Sequence, residues 1–202
     1  MSELMRKEFD QKAELVLSLS KDCNIGLEMQ EQDPQNPYLR RSFVRTFFAY
    51  LEGSNHQMKH LTLLLHRELQ VDFNDEERAL LREETYTLDH QGKATTTQKF
   101  PGAIPNLRFT LESFARLSEL SFPPDFYDDG NGFEEVKAAI GIRNRLMHPK
   151  NLEDLIVTDE EWQTVLNARL WYDMAVLQLF QNSRLRERLH DIEEQRKATG
   201  LN

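Results

Sequence analysis

The stretch "YLRRSFVRTFFAYLEGSNHQMKHLTLLLHRELQ", Tyr38–Gln70, decides the fold class. Leu39, Phe43, Phe47, Leu51, Met58, Leu61, Leu65 and Leu69 recur three, four or seven residues apart, a spacing that stacks side chains along one side of an α-helix. The stripe persists for roughly nine turns. A helix of that length must cover its apolar side with other elements. Upstream, Met5, Phe9, Ala13, Val16, Cys23 and Leu27 mark a first long helix from Glu3 to about Gln30, and "DPQNP", Asp33–Pro37, breaks the chain before the second begins. Two long stripes joined by a short break predict an antiparallel pair.

Downstream the pattern changes. Between Val71 and Gly132 come a short acidic helix at "NDEERALLREE", then "TYTLDHQGKATTTQKF", Thr85–Phe100, whose Thr and Tyr residues flank a glycine-containing turn and predict a β-hairpin. "PGAIP" follows, then a helix from about Asn106 to Leu120 burying Leu107, Leu111 and Phe114, then the loop "SFPPDFYDDGNG". Phe133, Val136 and Ile140 open the next helix, which Pro149 should stop near His148, because a proline disfavours α geometry in the residue before it. "VTDEEW" has a capping-box pattern, Thr158 with Glu161, and leads into a helix marked by Trp162, Leu166, Leu170, Leu177 and Phe180. The charged "SRLRERLHDIEEQRK" continues it as a surface helix as far as Gly200. The expected fold is mainly α: one domain over residues 1–202, a four-helix up-and-down bundle with an inserted short helix, β-hairpin and extra helix at about 71–132.

Composition bounds the function. With 202 residues, 39% hydrophobic, 29% charged, 7 Pro and 8 Gly, the chain has the make-up of a compact helical protein. Its net charge of -9 argues against a general polyanion-binding surface, so any nucleic-acid contact needs a local basic patch. The lone cysteine, Cys23, excludes an internal disulfide. The N-terminus "MSELMRKEFDQK" lacks the apolar core of a signal peptide, and runs such as "LTLLL" fall far short of the roughly 20 residues that span a bilayer. A cytoplasmic protein without membrane contact is expected. There is no glycine-rich phosphate loop, no CxxC pair and no nucleophile elbow.

The chemistry concentrates in "AAIGIRNRLMHPKN", Ala138–Asn151. Continuing the row 133, 136, 140 and 147 places Arg143 and Asn144 in the apolar stripe. An unpaired buried guanidinium is costly, so either Arg143 meets a carboxylate, with Glu52 or Asp173 as candidates, or this face opens into a cleft or subunit interface. Asn144 and His148 are four apart on one face, and Arg143 has the reach to join them. Histidine exchanges protons near neutral pH and arginine suits the negative charge developing on a phosphate. Together they describe metal-independent phosphodiester chemistry.

"RNRLMH", an arginine followed by a polar residue and, after four intervening residues, a histidine near a helix end, resembles the signature of the HEPN superfamily. Its members are small helical-bundle proteins, many of them RNA-cleaving toxins or defence effectors. The resemblance spans the four core helices but not the 71–132 insertion. It implies a homodimer in which two copies of the motif face each other across a composite cleft, and RNA cleavage without metal or other cofactor. His148 would transfer the proton at the ribose 2'-OH or the leaving oxygen, Arg143 would stabilise the phosphorane, Asn144 would orient the phosphate, and a 2',3'-cyclic phosphate end would result. RNA and an antitoxin-like protein are the partners it implies. Some family toxins carry a modifiable tyrosine two residues after the histidine; Lys150 stands there, so that modification has no target.

Arg145, Lys150 and the "YLRRSFVR" arginines, Arg40, Arg41 and Arg45, offer a path for the RNA backbone or, equally, a solvated face paired with acids. Two other readings of the motif stay open. One is a non-catalytic HEPN-like module for dimerisation or for nucleotide or protein binding; the other gives Arg143 a carboxylate partner and leaves His148 as a helix cap. His56 and His60, four apart, could hold zinc, but Gln57 replaces the glutamate of the zincin pattern and no third ligand is evident, so no metal is expected. His66 belongs by spacing to the same solvated side.

Overall fold

Asn36 and Pro37 start the long central helix. The Asn36 side chain accepts from the backbone N–H of Tyr38 at 3.1 Å, and Pro37 occupies the first helical position, where no N–H is needed. The computed structural model describes residues 3–98, 102–128, 130, 132–181 and 184–199. Over these the chain is mainly helical: α1 (Glu3–Gln32), α2 (Pro37–Leu65), α3 (Asp75–Leu81), β1 (Glu84–Leu88), β2 (Ala94–Gln98), α4 (Ala103–Leu117), α5 (Phe133–Met147), α6 (Asp159–Gln181) and α7 (Arg184–Thr199), with a single 3-10 turn at Glu153–Leu155. No helix among the described residues is long and apolar enough to cross a membrane.

The described residues group into two compact units, one comprising those up to Asp10, Asn55–Ser121 and those from Leu179 on, the other Gln11–Ser54 and Phe122–Gln178. The 71–132 segment is thus shared between them. In the second unit, parts of α1, α2, α5 and α6 pack together. Gly26 and Gly53 lie against Phe43 and Leu19, so α1 runs antiparallel to α2. Glu52 meets Arg143 and Arg45 meets Leu146, which sets α5 antiparallel to α2, while the Arg145–Glu161 and Phe133–Trp171 contacts set α6 antiparallel to α5. Phe43, Phe47, Leu51, Val136, Ala139, Leu146, Val165 and Ala175 fill the interior.

A polar seam crosses this core. Ser54 Oγ and Tyr172 Oη share a hydrogen bond, the Tyr50 hydroxyl bonds Asp173, and Arg169 donates from Nε to Asp173 at 3.2 Å and from Nη2 to Asn24. Burial raises the Asp173 carboxyl above the usual range, with Arg169 opposing it. Cys23 lies beside the same pair, fully buried, and burial pushes its thiol up to about 12.

Two stripes are rotated from their expected positions. On α5 the buried row is Phe133, Val136, Ala139, Ile142 and Leu146, so Arg143 and Asn144 flank it instead of interrupting it, and Met147 is exposed. On α6 the buried set is Val165, Ala168, Trp171, Tyr172, Ala175, Val176 and Leu179, which turns Leu170 and Leu177 outward.

The first unit contains the expected short helix, hairpin and extra helix, but α2 stops at Leu65, before its expected end near Gln70, and Leu69 is buried from the turns that follow. Asn74 and Glu77 form a reciprocal capping box at the start of α3. The hairpin pairs Glu84 with Gln98 and Leu88 with Ala94, and its turn is stabilised by the Asp89 carboxylate accepting from the N–H groups of Gln91 and Lys93. Helix α4 begins three residues before Asn106, because Pro105 is tolerated in a first turn whose N–H groups have no helical acceptor. Beyond α2 and α4 the chain turns off through Gln70 and Glu119 at φ 54° and 53°, with Val71 and Leu120 donating back to His66 and Ala115. Arg188 from α7 donates to the Leu69 carbonyl at 2.7 Å and the Leu117 carbonyl at 2.6 Å. His66 is buried, edge-on to Phe73 with Nδ1 3.2 Å from the Val71 carbonyl, and not on the solvated side.

Gly132, at φ 90°, precedes α5 where a Cβ would lie 2.8 Å from the Trp171 Cβ. Gly132→Ala should lower unfolding free energy by roughly 2 kcal/mol or more, read from urea denaturation, and an unchanged midpoint would contradict the packing. Cys23 should react with a disulfide reagent at pH 8 on the order of a hundredfold more slowly in the native protein than in urea. A native rate equal to the unfolded one would place the thiol at the surface.

Candidate nucleic-acid interface at the end of α5

Ile142 and Leu146 fix the C-terminal half of α5 against the core, and this leaves Arg143 and Asn144 at the surface. Arg143 Nη2 lies 2.9 Å from Glu52 Oε1 on α2, with the two side chains 28% and 55% exposed. Its Nη1 donates to Asn144 Oδ1 at 3.1 Å. Of the two candidate carboxylates it is therefore Glu52 that meets Arg143, while Asp173 belongs to Arg169. An ion pair this exposed contributes at most about 1 kcal/mol. A phosphate can replace the carboxylate at small cost.

Pro149 ends the helix as expected. His148 is the cap residue, its backbone N–H donating to the Asn144 carbonyl at 3.1 Å. Its side chain is exposed and, among the described residues, has neither a hydrogen-bond nor an ion-pair partner. An imidazole so placed can take up or release a proton at a bound molecule.

The five basic residues expected along an RNA path cluster around the same helix end, and each of the four arginines donates at least one N–H to a backbone carbonyl of the protein itself. Arg145 donates through Nη1 to the carbonyls of Asp154 and Ile156 at 3.1 and 2.8 Å, and through Nη2 to Glu161 at 2.6 Å. Glu161 also closes the capping box with Thr158 that starts α6. Arg40 reaches the Val157 carbonyl at 3.3 Å and Asp159 at 2.7 Å, and its guanidinium lies over the Trp162 ring. Arg41 and Arg45 donate to the carbonyls of Leu155 and Leu146, both at 3.3 Å. Lys150 is exposed, and its backbone N–H donates to Asp154 at 2.7 Å.

Charge separates these residues further. Arg40, Arg143 and Arg145 each have a carboxylate, whereas Arg41, Arg45 and Lys150 have none among the described residues. A carbonyl acceptor leaves the cation's charge uncompensated, so these three carry the positive potential of the patch. Residues 149–158 are accordingly a loop held from beneath by arginines, an arrangement that spacing alone does not reveal, because a carbonyl acceptor has no residue signature. Elsewhere, the His56 and His60 rings meet edge to face at 4.5 Å, with His56 3.7 Å from Glu83. Among the described residues no group of three or more His, Cys, Asp or Glu side chains is placed to hold a metal ion.

Arg145→Met should lower stability by about 1–2 kcal/mol, since charge-assisted bonds to loop carbonyls and to Glu161 are lost, and should speed amide exchange over residues 150–157. Unaltered exchange there would remove Arg145 as the loop's anchor. No protein-family model, curated protein or solved structure matches this chain.

Proposed function

We propose that the protein is a metal-independent endoribonuclease of HEPN type, its mainly α fold an instance of the HEPN bundle, acting as a cytoplasmic homodimer in toxin or defence biology with an antitoxin-like partner. The observation that carries the reading is the joint exposure of Arg143, Asn144 and His148 at one end of α5, beside the uncompensated Arg41, Arg45 and Lys150. RNA phosphate displaces Glu52 from Arg143, which then holds two non-bridging oxygens through its parallel N–H groups. The 2'-OH attacks phosphorus, its proton passes to a neutral imidazole, and the 5'-oxygen leaves with a proton from an imidazolium, giving a 2',3'-cyclic phosphate. Each chain carries one His148, so two chains facing each other provide both the base and the acid. Asn144 orients Arg143 through the hydrogen bond between their side chains.

A second reading is a non-catalytic HEPN-like module for dimerisation or for nucleotide or protein binding. The Arg143–Glu52 pair and the net charge of -9 favour it. Cleavage of single-stranded RNA in EDTA separates the two. Arg143→Ala and His148→Ala should each reduce the rate by on the order of a hundredfold or more, and Glu52→Gln should retain or raise it by freeing Arg143. Cleavage that survives both alanine substitutions, or that requires magnesium, would remove the mechanism. RNA binding without cleavage would establish the second reading.

A further inference from the structure

Helix α6 turns outward a row that its composition assigns to a core. Leu170, Met174 and Leu177 are 62%, 55% and 50% exposed, at successive spacings of four and three residues. They form one apolar ridge about 10 Å long. Beside the ridge opens a cavity of about 520 Å³. Phe126 and Trp171, with ring centroids 5.0 Å apart, form its aromatic wall, and Gly132 adds no side chain to the space. The Trp171 indole N–H is buried with no acceptor in the protein.

The rim has one sign of charge. Asp125 and Glu135 line the cavity, no Lys or Arg does, and Glu135 has no ion pair among the described residues. An occupant must therefore be apolar along its centre and cationic at its margin. A second copy of this chain would bring the same acids and a net charge of -9 to the contact, and like charges in apposition disfavour it. A small organic cation would satisfy the rim but leave the ridge uncovered as far as Leu177.

We infer that this face is a docking groove for a basic amphipathic helix of a partner protein, whose apolar residues lie along Leu170, Met174 and Leu177 while its lysines or arginines face Glu135. The mode is helix-in-groove recognition, with a large side chain of the partner entering against Phe126 and Trp171. It does not depend on what Arg143 and His148 act on.

The test uses the full chain, isotope-labelled, and a synthetic helical peptide with leucines at i, i+4 and i+7 and lysines between them. Two control peptides are used: a scrambled one of identical composition and one with glutamates replacing the lysines. The helical lysine peptide should shift the Trp171 indole and Met174 methyl resonances, with a Kd in the micromolar range that rises with salt. Met174→Glu should weaken binding about tenfold or more, and Glu135→Lys should weaken it and flatten the salt dependence. Met174 is exposed and Glu135 half-buried at the rim, and matching unfolding midpoints verify that both variants are folded. Equal binding of the scrambled peptide would overturn the inference, as would resonances that stay in place at millimolar peptide. A wild-type dimer in light scattering that Met174→Glu dissociates would assign the face to a second copy and overturn it too.

Discussion

The Arg145 guanidinium carries the arrangement at the end of α5. Through bonds to the carbonyls of Asp154 and Ile156 and to Glu161, it draws residues 149–158 back onto the helix they have just left. These carbonyls lie in a segment with no sheet or helix ladder to satisfy them, and one planar cation with several N–H groups serves them together. Because Glu161 also caps α6, the same side chain couples the stop of one helix to the start of the next. His148 and Lys150 inherit their positions from this closure. The charged pair is only partly exposed, with side-chain values of 27% and 30%, which places it between a weak surface bridge and a costly buried one.

Much of this was legible in the residues. The α2 stripe, the hairpin around Gly92, the capping box at Thr158 and the stop before Pro149 depend on local rules that neighbouring elements reinforce. What could not be read was the rotation of α5 and α6 about their own axes. On α5, the rows 133–136–140–143–147 and 133–136–139–142–146 share their first two members, and Ala139, Ile140 and Ile142 let either be apolar. Tertiary packing chose the second. Similarly, Leu170 and Leu177 look like core residues until Trp171 and Tyr172 take the inner side. The candidate site was legible as a set of residues; its carboxylate was narrowed to Glu52 or Asp173, and geometry selected Glu52.

An acidic chain with several arginines in one place invites the view that they all face a ligand. Here each of Arg40, Arg41, Arg45 and Arg145 ties down a backbone carbonyl of the protein itself, and the charge without a carboxylate resides on Arg41, Arg45 and Lys150. A guanidinium bonded to a carbonyl is both a structural tie and a source of potential, whereas one bonded to a carboxylate is only the former. This distinction separates Arg41 from Arg40, neighbours in sequence with different partners.

Arg188 has a bearing on the order in which the chain takes shape. Its two N–H groups close carbonyls left open after α2 and α4, at Leu69 and Leu117. Both ends are made before the residue that satisfies them, Arg188, which follows Leu117 by some seventy residues. The unit formed by Gln11–Ser54 and Phe122–Gln178 has all its parts once residue 178 has left the ribosome, whereas the other waits for α7. A chain synthesised as far as residue 178 therefore holds every residue of one unit, while the hairpin, α3 and α4 of the other still lack α7 and its arginine.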